Sequence, residues 1–301
     1  MSSVQVIQRH AFERTQRVGL SLARAAAPNS PVHAVNEGGF PSTFRAALEL
    51  ASASDADWTV MLDGDVLLLP DAIGRGLDLA TRYPRDHFVV SGCVHDRLLG
   101  TVRHGGVRFY RTRLIPRALE LEGWEGQIRP ESTLIRLMGE RGTPSATTAL
   151  LAGMHDFEQY YRDLFRTAVV HAAKFSKRLD LNLARWTRLA GDDPDFAVIL
   201  EGALHGRRTG EASLDRRDHL TAATEALERL GLTEKTELPA DAPLDPLGMA
   251  EPGVVRLRAA TPLRRLLPEL TLRLAPAPGQ PRRLRRLRTL IRHRRRLRDR
   301  S

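Results

Sequence analysis

Cysteine is almost missing from this 301-residue chain. Cys93 stands alone, which excludes an internal disulfide and any cysteine-built zinc site, and it fits a reducing compartment. As a lone thiol it reads as a small buried residue rather than a nucleophile. Long apolar runs are missing too: no window approaches the roughly 18–20 apolar residues needed to span a bilayer. Met1 leads into polar Ser2 and Ser3 with no apolar stretch of signal length, so the expected location is the cytoplasm. No internal repeat is visible. What is present is 42% hydrophobic and 27% charged residues, the balance of a globular protein. The length suits one large α/β domain with a helical extension, or two modest domains.

The charge is unevenly spread. From Glu251 to Ser301, sixteen arginines stand against Glu251, Glu269 and Asp299; the whole chain carries +10, so the first 250 residues carry −3. A mildly acidic body offers no basic groove and argues against nucleic acid as its partner. The basicity belongs to residues 254–301, where Leu284, Leu287 and Ile291 form a narrow apolar stripe among arginines. Such stripes lie on anionic membrane surfaces or bind nucleic acid or acidic partners, which leaves a nucleic-acid- or anionic-surface-binding protein as an alternative function, and an unstructured basic tail is the plainer reading.

Strand and helix patterns alternate from the start. Val4–Ile7 reads as a strand, Arg9–Arg24 as a helix, Val32–Val35 as a strand and Pro41–Leu50 as a helix. Another strand then enters the stretch Trp58-Thr-Val-Met-Leu-Asp-Gly-Asp-Val-Leu-Leu-Leu-Pro70. That order predicts an α/β fold, Rossmann-like, with a mostly parallel sheet flanked by helices. Ligands of such sheets bind at the carboxyl ends of strands. Arg9, Asn36-Glu37 and Asp63-Gly64-Asp65 all stand at such ends. Further strands are expected around His87–Cys93 and Gly105–Tyr110, and an apolar piece, Leu150–Met154, ends in His155. The Gly105-Gly106 pair marks a bulge or a close ligand approach. Ser132–Gly139 reads as a helix, and Phe157–Trp186 as one long helix with an aromatic stripe. Pro239–Pro252, rich in Pro and Asp, looks like a linker.

Two carboxylates at the mouth of a buried strand are costly unless a cation meets them. Mg²⁺ or Mn²⁺ would, since hard cations take oxygen ligands and share them with a substrate phosphate. A polar turn between strand and helix is the plainer reading of an isolated Asp-x-Asp.

Asp63-Gly64-Asp65 on its apolar strand resembles the Asp-x-Asp motif of the GT-A fold of nucleotide-sugar-dependent glycosyltransferases. Pro41-Ser-Thr-Phe-Arg-Ala-Ala-Leu48 is similar to the helix that precedes the motif in that group. Gly153-Met-His-Asp156 is similar to its late histidine. Glu158-Gln-Tyr-Tyr-Arg162 resembles the segment behind that histidine in some bacterial, family-two-like members. The likeness covers roughly the first 160–180 residues. It implies a GT-A catalytic domain over residues 1–156, a helical C-terminal extension over 157–238, and a Pro-containing linker with an Arg-rich tail over 239–301. The implied activity is transfer of a hexose from a nucleotide-diphosphate sugar to a glycan or lipid-linked acceptor, with a divalent cation.

The resemblance also assigns roles. Asp65 would hold the metal, Asp63 the metal or the ribose, and His155 would be a third ligand that suits Mn²⁺ better than Mg²⁺. Arg9 would face phosphate and Glu37 the base of the nucleotide, with Arg45 a further phosphate candidate. Glu131, after a glycine-bearing loop at a helix start, would be the general base, with Glu125 and Asp96 as rivals. Neither the Glu-Asp pair nor the Gln-x-x-Arg-Trp signature of processive synthases is present, which argues against a polymerising enzyme. A metal phosphohydrolase using His155-Asp156 and His171 is the competing enzymatic reading, although a packing role is the default for His171. A membrane-surface role for 254–301 would suit a lipid-linked acceptor and place the enzyme peripherally at the inner face.

Overall fold

A computed structural model describes residues 2–249 apart from 128, 175, 211, 212 and 214; the arginine-rich stretch from 254 lies outside the described residues. Seven strands form one sheet in the order β2-β1-β3-β6-β5-β7-β4. They are β1 (Val4–Arg9), β2 (Val32–Val35), β3 (Trp58–Asp63), β4 (Val66–Leu68), β5 (Val89–Asp96), β6 (Thr101–Arg111) and β7 (Ser145–His155). The predicted α/β class, with flanking helices and further helices at the C-terminal end, is what the chain adopts. Parallel pairing joins β1 to β2, β1 to β3 and β5 to β7. The long β6 runs antiparallel to both β3 and β5, and β4 antiparallel to β7. Parallel pairing is therefore interrupted at the centre, where β5 and β6 follow one another with too short a connection for a crossover.

The connection from β3 to β4 reveals the shape of the sheet. Two residues, Gly64 and Asp65, join strands that stand four positions apart in the order. Four strand spacings laid flat would measure about 19 Å, whereas three Cα–Cα steps reach about 11 Å. The sheet must curl so that its β4 edge swings back toward β3. Gly106, at φ +76°, permits that approach inside β6, since a Cβ there would stand 3.1 Å from Val66 and from Val94.

Alternation along the strands divides the core between the two faces. Val6, Val60 and Leu62 pack with α1 (Gln16–Ala26) and α3 (Ala72–Ala80). Ile7, Met61, Val89 and Tyr110 pack with α2 (Phe40–Ser52), α4 (Ile115–Leu119) and α5 (Pro130–Glu140). A third core joins Leu98 to α6 (Tyr161–Lys174), α7 (Ser176–Leu189), α8 (Pro194–Thr209) and α9 (Leu220–Leu230). Between Leu238 and Met249, Leu238, Ala242, Leu244, Leu247 and Met249 pack against the first core.

Two helix boundaries differ from the sequence reading. The helix expected from Arg9 begins at Gln16, because Arg9 belongs to β1 and its guanidinium is held in the core of the site. The helix expected over Phe157–Trp186 is two helices. One straight helix of that span would run about 45 Å. Divided in two, the segment buries Trp186 completely, with its indole N–H donating to the Leu98 carbonyl at 2.7 Å.

Candidate functional site

Strand register gathers the candidate residues. Arg9 is the register partner of Asp63 in the β1–β3 pair, Asp96 that of His155 in β5–β7, and Val66 that of His155 in β4–β7. Strand ends far apart in sequence thus share one rim. There Arg9, Asp63, Asp65, Arg103, Arg108 and His155 line a cavity of about 530 Å³.

Asp65, the residue before β4, lies close to the end of β7. Its Oδ1 stands 3.4 Å from His155 Nε2, and its backbone carbonyl accepts from Asp156 N at 3.3 Å. That Oδ1 is a buried atom with no hydrogen-bond partner. Burial, reinforced by Asp156 and Asp63 against the pull of His155, pushes the Asp65 carboxyl up to about 8. Asp63, Asp65 and His155 each offer a ligand atom, all within 4.8 Å of one another. Two carboxylates and an imidazole at that separation form a donor set suited to Mn²⁺, and an unpartnered buried carboxylate oxygen is what a cation would satisfy.

His155 is enclosed on its other side. Its Nδ1 stands 2.9 Å from Asp156 Oδ2 and 3.3 Å from Asp96 Oδ2, and Arg103 Nη2 approaches its Nε2 at 2.8 Å. Burial opposes a charge on the ring, but Asp156 and Asp65 hold its pKa well above the ordinary value, with Arg103 pulling the other way. A guanidinium carries only donors, so Nε2 accepts at that contact only in the neutral ring, which the surrounding carboxylates oppose. Arg103 Nε also donates to Asp96 at 2.5 Å. The pull of His155 and Arg103 outweighs burial and holds the Asp96 carboxyl well below the usual range.

Glu131 lies in the first turn of α5 and is 5% exposed. Its Oε1 accepts from Arg9 Nη1 at 2.9 Å and from the Tyr110 hydroxyl at 2.5 Å. Its Oε2 accepts from Arg108 and, more loosely, from Arg9 Nη2 at 3.4 Å. Burial disfavours the charge, yet Arg108, Arg9 and the Tyr110 hydrogen bond overcome it and lower the carboxyl to about 2. The acceptor sites of a carboxylate number about four, and Glu131 has all of them engaged. Arg9 also donates to Asp63 Oδ1 at 2.5 Å, and its guanidinium stands 5.3 and 5.1 Å from the rings of Phe40 and Phe44.

The structure does not bring the remaining candidates into the cavity. Glu37 is exposed: its backbone N–H is held by Thr43 Oγ1 at 2.9 Å, and Asn36 takes its place among the lining residues. Arg45 and Glu125 pair with each other at the surface. His171 meets Trp186 edge-on and is not a lining residue. Reading the sequence missed Arg103, Arg108, Tyr110 and Glu13. Gly105-Gly106, flanked by two of these arginines, was the available signal. Glu13 packs its carboxylate against Gly64, between the two aspartates, and burial raises its pKa.

No family model matches the chain, and no curated protein matches it. Among solved structures, it is similar to the mannosyltransferase PcManGT from Pyrobaculum calidifontis in complex with GDP-Man and Mn²⁺. There the identity is 14%, over 88% of this chain and 82% of that one, with a TM-score of 0.41. It is also similar to a glycosyltransferase involved in glycosylation of the major capsid of PBCV-1, at 12% identity over 52% of this chain and 94% of that one, TM-score 0.36. A CMP:2-keto-3-deoxy-manno-octonic acid synthetase complexed with CTP aligns at 10% identity over 50% of this chain and 91% of that one, TM-score 0.35. Likeness at this level assigns neither activity nor substrate, so the chemistry of the cavity carries the functional argument.

Proposed function

We propose that this chain is a glycosyltransferase that moves a hexose from a nucleotide-diphosphate sugar to an acceptor hydroxyl, using a divalent cation held by Asp63, Asp65 and His155. The observation that carries the reading is the unpartnered Asp65 Oδ1 facing His155 Nε2 at 3.4 Å, with Asp63 beside it. The cation, when bound, neutralises the charge that develops on the departing diphosphate.

The chain's own residues supply the rest. Arg103 and Arg108 reach the same cavity from one strand and can meet phosphate oxygens as bidentate donors. Six arginines and six carboxylates line the cavity. Glu131, fully engaged and held near 2, is a weak base. In this reading it is a positioning residue that keeps Arg9 and Arg108 turned toward the diphosphate. Residues 254–301, with their arginines and leucine stripe, hold the enzyme to an anionic membrane surface at the inner face, where a lipid-linked acceptor would be met.

The test measures binding of UDP- and GDP-sugars with and without Mn²⁺, for wild type and Asp65→Ala. Metal-dependent binding that disappears in Asp65→Ala supports the reading. Binding indifferent to both metal and substitution rules it out.

A further inference from the structure

Arg103 occupies the same nitrogen that a cation would need. Its Nη2 stands 2.8 Å from His155 Nε2, while Asp65 Oδ1 faces that nitrogen from 3.4 Å. One lone pair on Nε2 cannot serve a guanidinium N–H and a metal ion together. Arg103 also places a positive charge beside the three ligands. At such separations a like charge disfavours a cation even in a moderately polar medium.

Arg103 stands at the open rim of the cavity, beside Arg108. It lies on β6 two residues before Gly105, which adopts φ +111°. A Cβ on Gly105 would stand 3.4 Å from Arg103 Nη1 and 3.2 Å from Arg108 Nη2, so the two guanidinium groups converge over a residue with no side chain. The Arg103 side chain is 32% exposed, and its Nη2 can leave His155 while the Nε bond to Asp96 at 2.5 Å is kept.

Resting on the metal reading above, we propose that Arg103 excludes a free divalent cation from His155 and yields only when a diphosphate arrives to take the guanidinium. Cation and diphosphate therefore enter together, and the apo site does not bind metal tightly. Arg103 acts here as a positioning residue whose two partners, an imidazole nitrogen and a phosphate oxygen, are used in turn.

The experiment is a Mn²⁺ titration of the full chain followed by electron paramagnetic resonance, with and without inorganic pyrophosphate. It compares wild type, Arg103→Met, Arg103→Gln and Asp65→Asn, with folding checked by circular dichroism. Without pyrophosphate, Arg103→Met and Arg103→Gln should each bind Mn²⁺ about tenfold or more tighter than wild type. With pyrophosphate the gap should close, because the wild-type guanidinium is then engaged elsewhere. Either folded Arg103 variant decides the matter: affinity equal to or weaker than wild type without pyrophosphate overturns the proposal. Loss of Mn²⁺ binding in Asp65→Asn alongside that result would leave the metal reading standing and remove only the role of Arg103. Unchanged binding in Asp65→Asn would remove both.

Discussion

Glu131 accepts a hydrogen bond from Arg9 at 2.9 Å across 122 residues of sequence, and both side chains are buried. Burial works against both charges, but Glu131 and Asp63 more than compensate for Arg9 and raise its pKa. Removing one partner of a buried pair leaves the other charge uncompensated, typically at a cost of about 3–5 kcal/mol. Glu131→Gln should therefore destabilise the protein by about 3 kcal/mol, read from urea or guanidinium unfolding.

The same contact has a pH signature. The Glu131 carboxyl falls from an ordinary 4.5 to about 2 in the folded chain. A depressed carboxyl contributes stability above its unfolded pKa and loses it as pH falls toward the folded value. The wild-type loss between pH 4.5 and 2 should be shallower in Glu131→Gln; identical acid limbs would remove the assignment.

Gly206 lets α8 lie against α6. A Cβ there would stand 2.6 Å from the Val169 carbonyl oxygen and 2.9 Å from its Cα, and backbone atoms cannot yield as a side chain can. Alanine's better helix propensity is worth about 1 kcal/mol, whereas overpacking costs about 1–3 kcal/mol. Gly206→Ala should lower stability by up to about 2 kcal/mol net while leaving Mn²⁺ affinity unchanged, since Asp63, Asp65 and His155 all lie outside this helix pair.

Cys93 should be inert. Burial pushes its thiol up to about 11, and its Sγ stands 3.2 Å from both the Thr148 carbonyl and His104 Nδ1. Iodoacetamide at neutral pH should leave the folded protein unmodified by mass and label it fully in denaturant. Rapid labelling of the native chain would contradict the burial of this thiol.

The arginines beyond Pro252 should matter for surfaces and not for the cavity. Each basic residue near an anionic leaflet contributes about 1 kcal/mol. A chain ending at Pro252 should stop sedimenting with anionic vesicles yet keep the Mn²⁺ affinity of the full chain. Unchanged sedimentation would sink the membrane role of residues 254–301.

Local patterns in the sequence decided much of this protein. The alternation of apolar strands with amphipathic helices set the α/β class, because periodicities of two and 3.6 follow from backbone geometry alone. Asp63-Gly64-Asp65 at the end of β3 was legible for the same reason, whereas His155, at the end of β7, was legible only through a family resemblance. Tertiary structure decided which strands are neighbours. The register that opposes Arg9 to Asp63 and Asp96 to His155, and the curl that returns β4 to β7, join segments up to ninety residues apart. It also decided what each charged group faces. Glu131 stands at a helix start, where a base was expected, and is surrounded by Arg9, Arg108 and Tyr110. The Asp-Gly-Asp turn marks the rim; Arg103, on a strand signalled only by its glycine pair, stands nearest the nitrogen a metal would need, because side-chain contacts form between chain segments that only folding brings together.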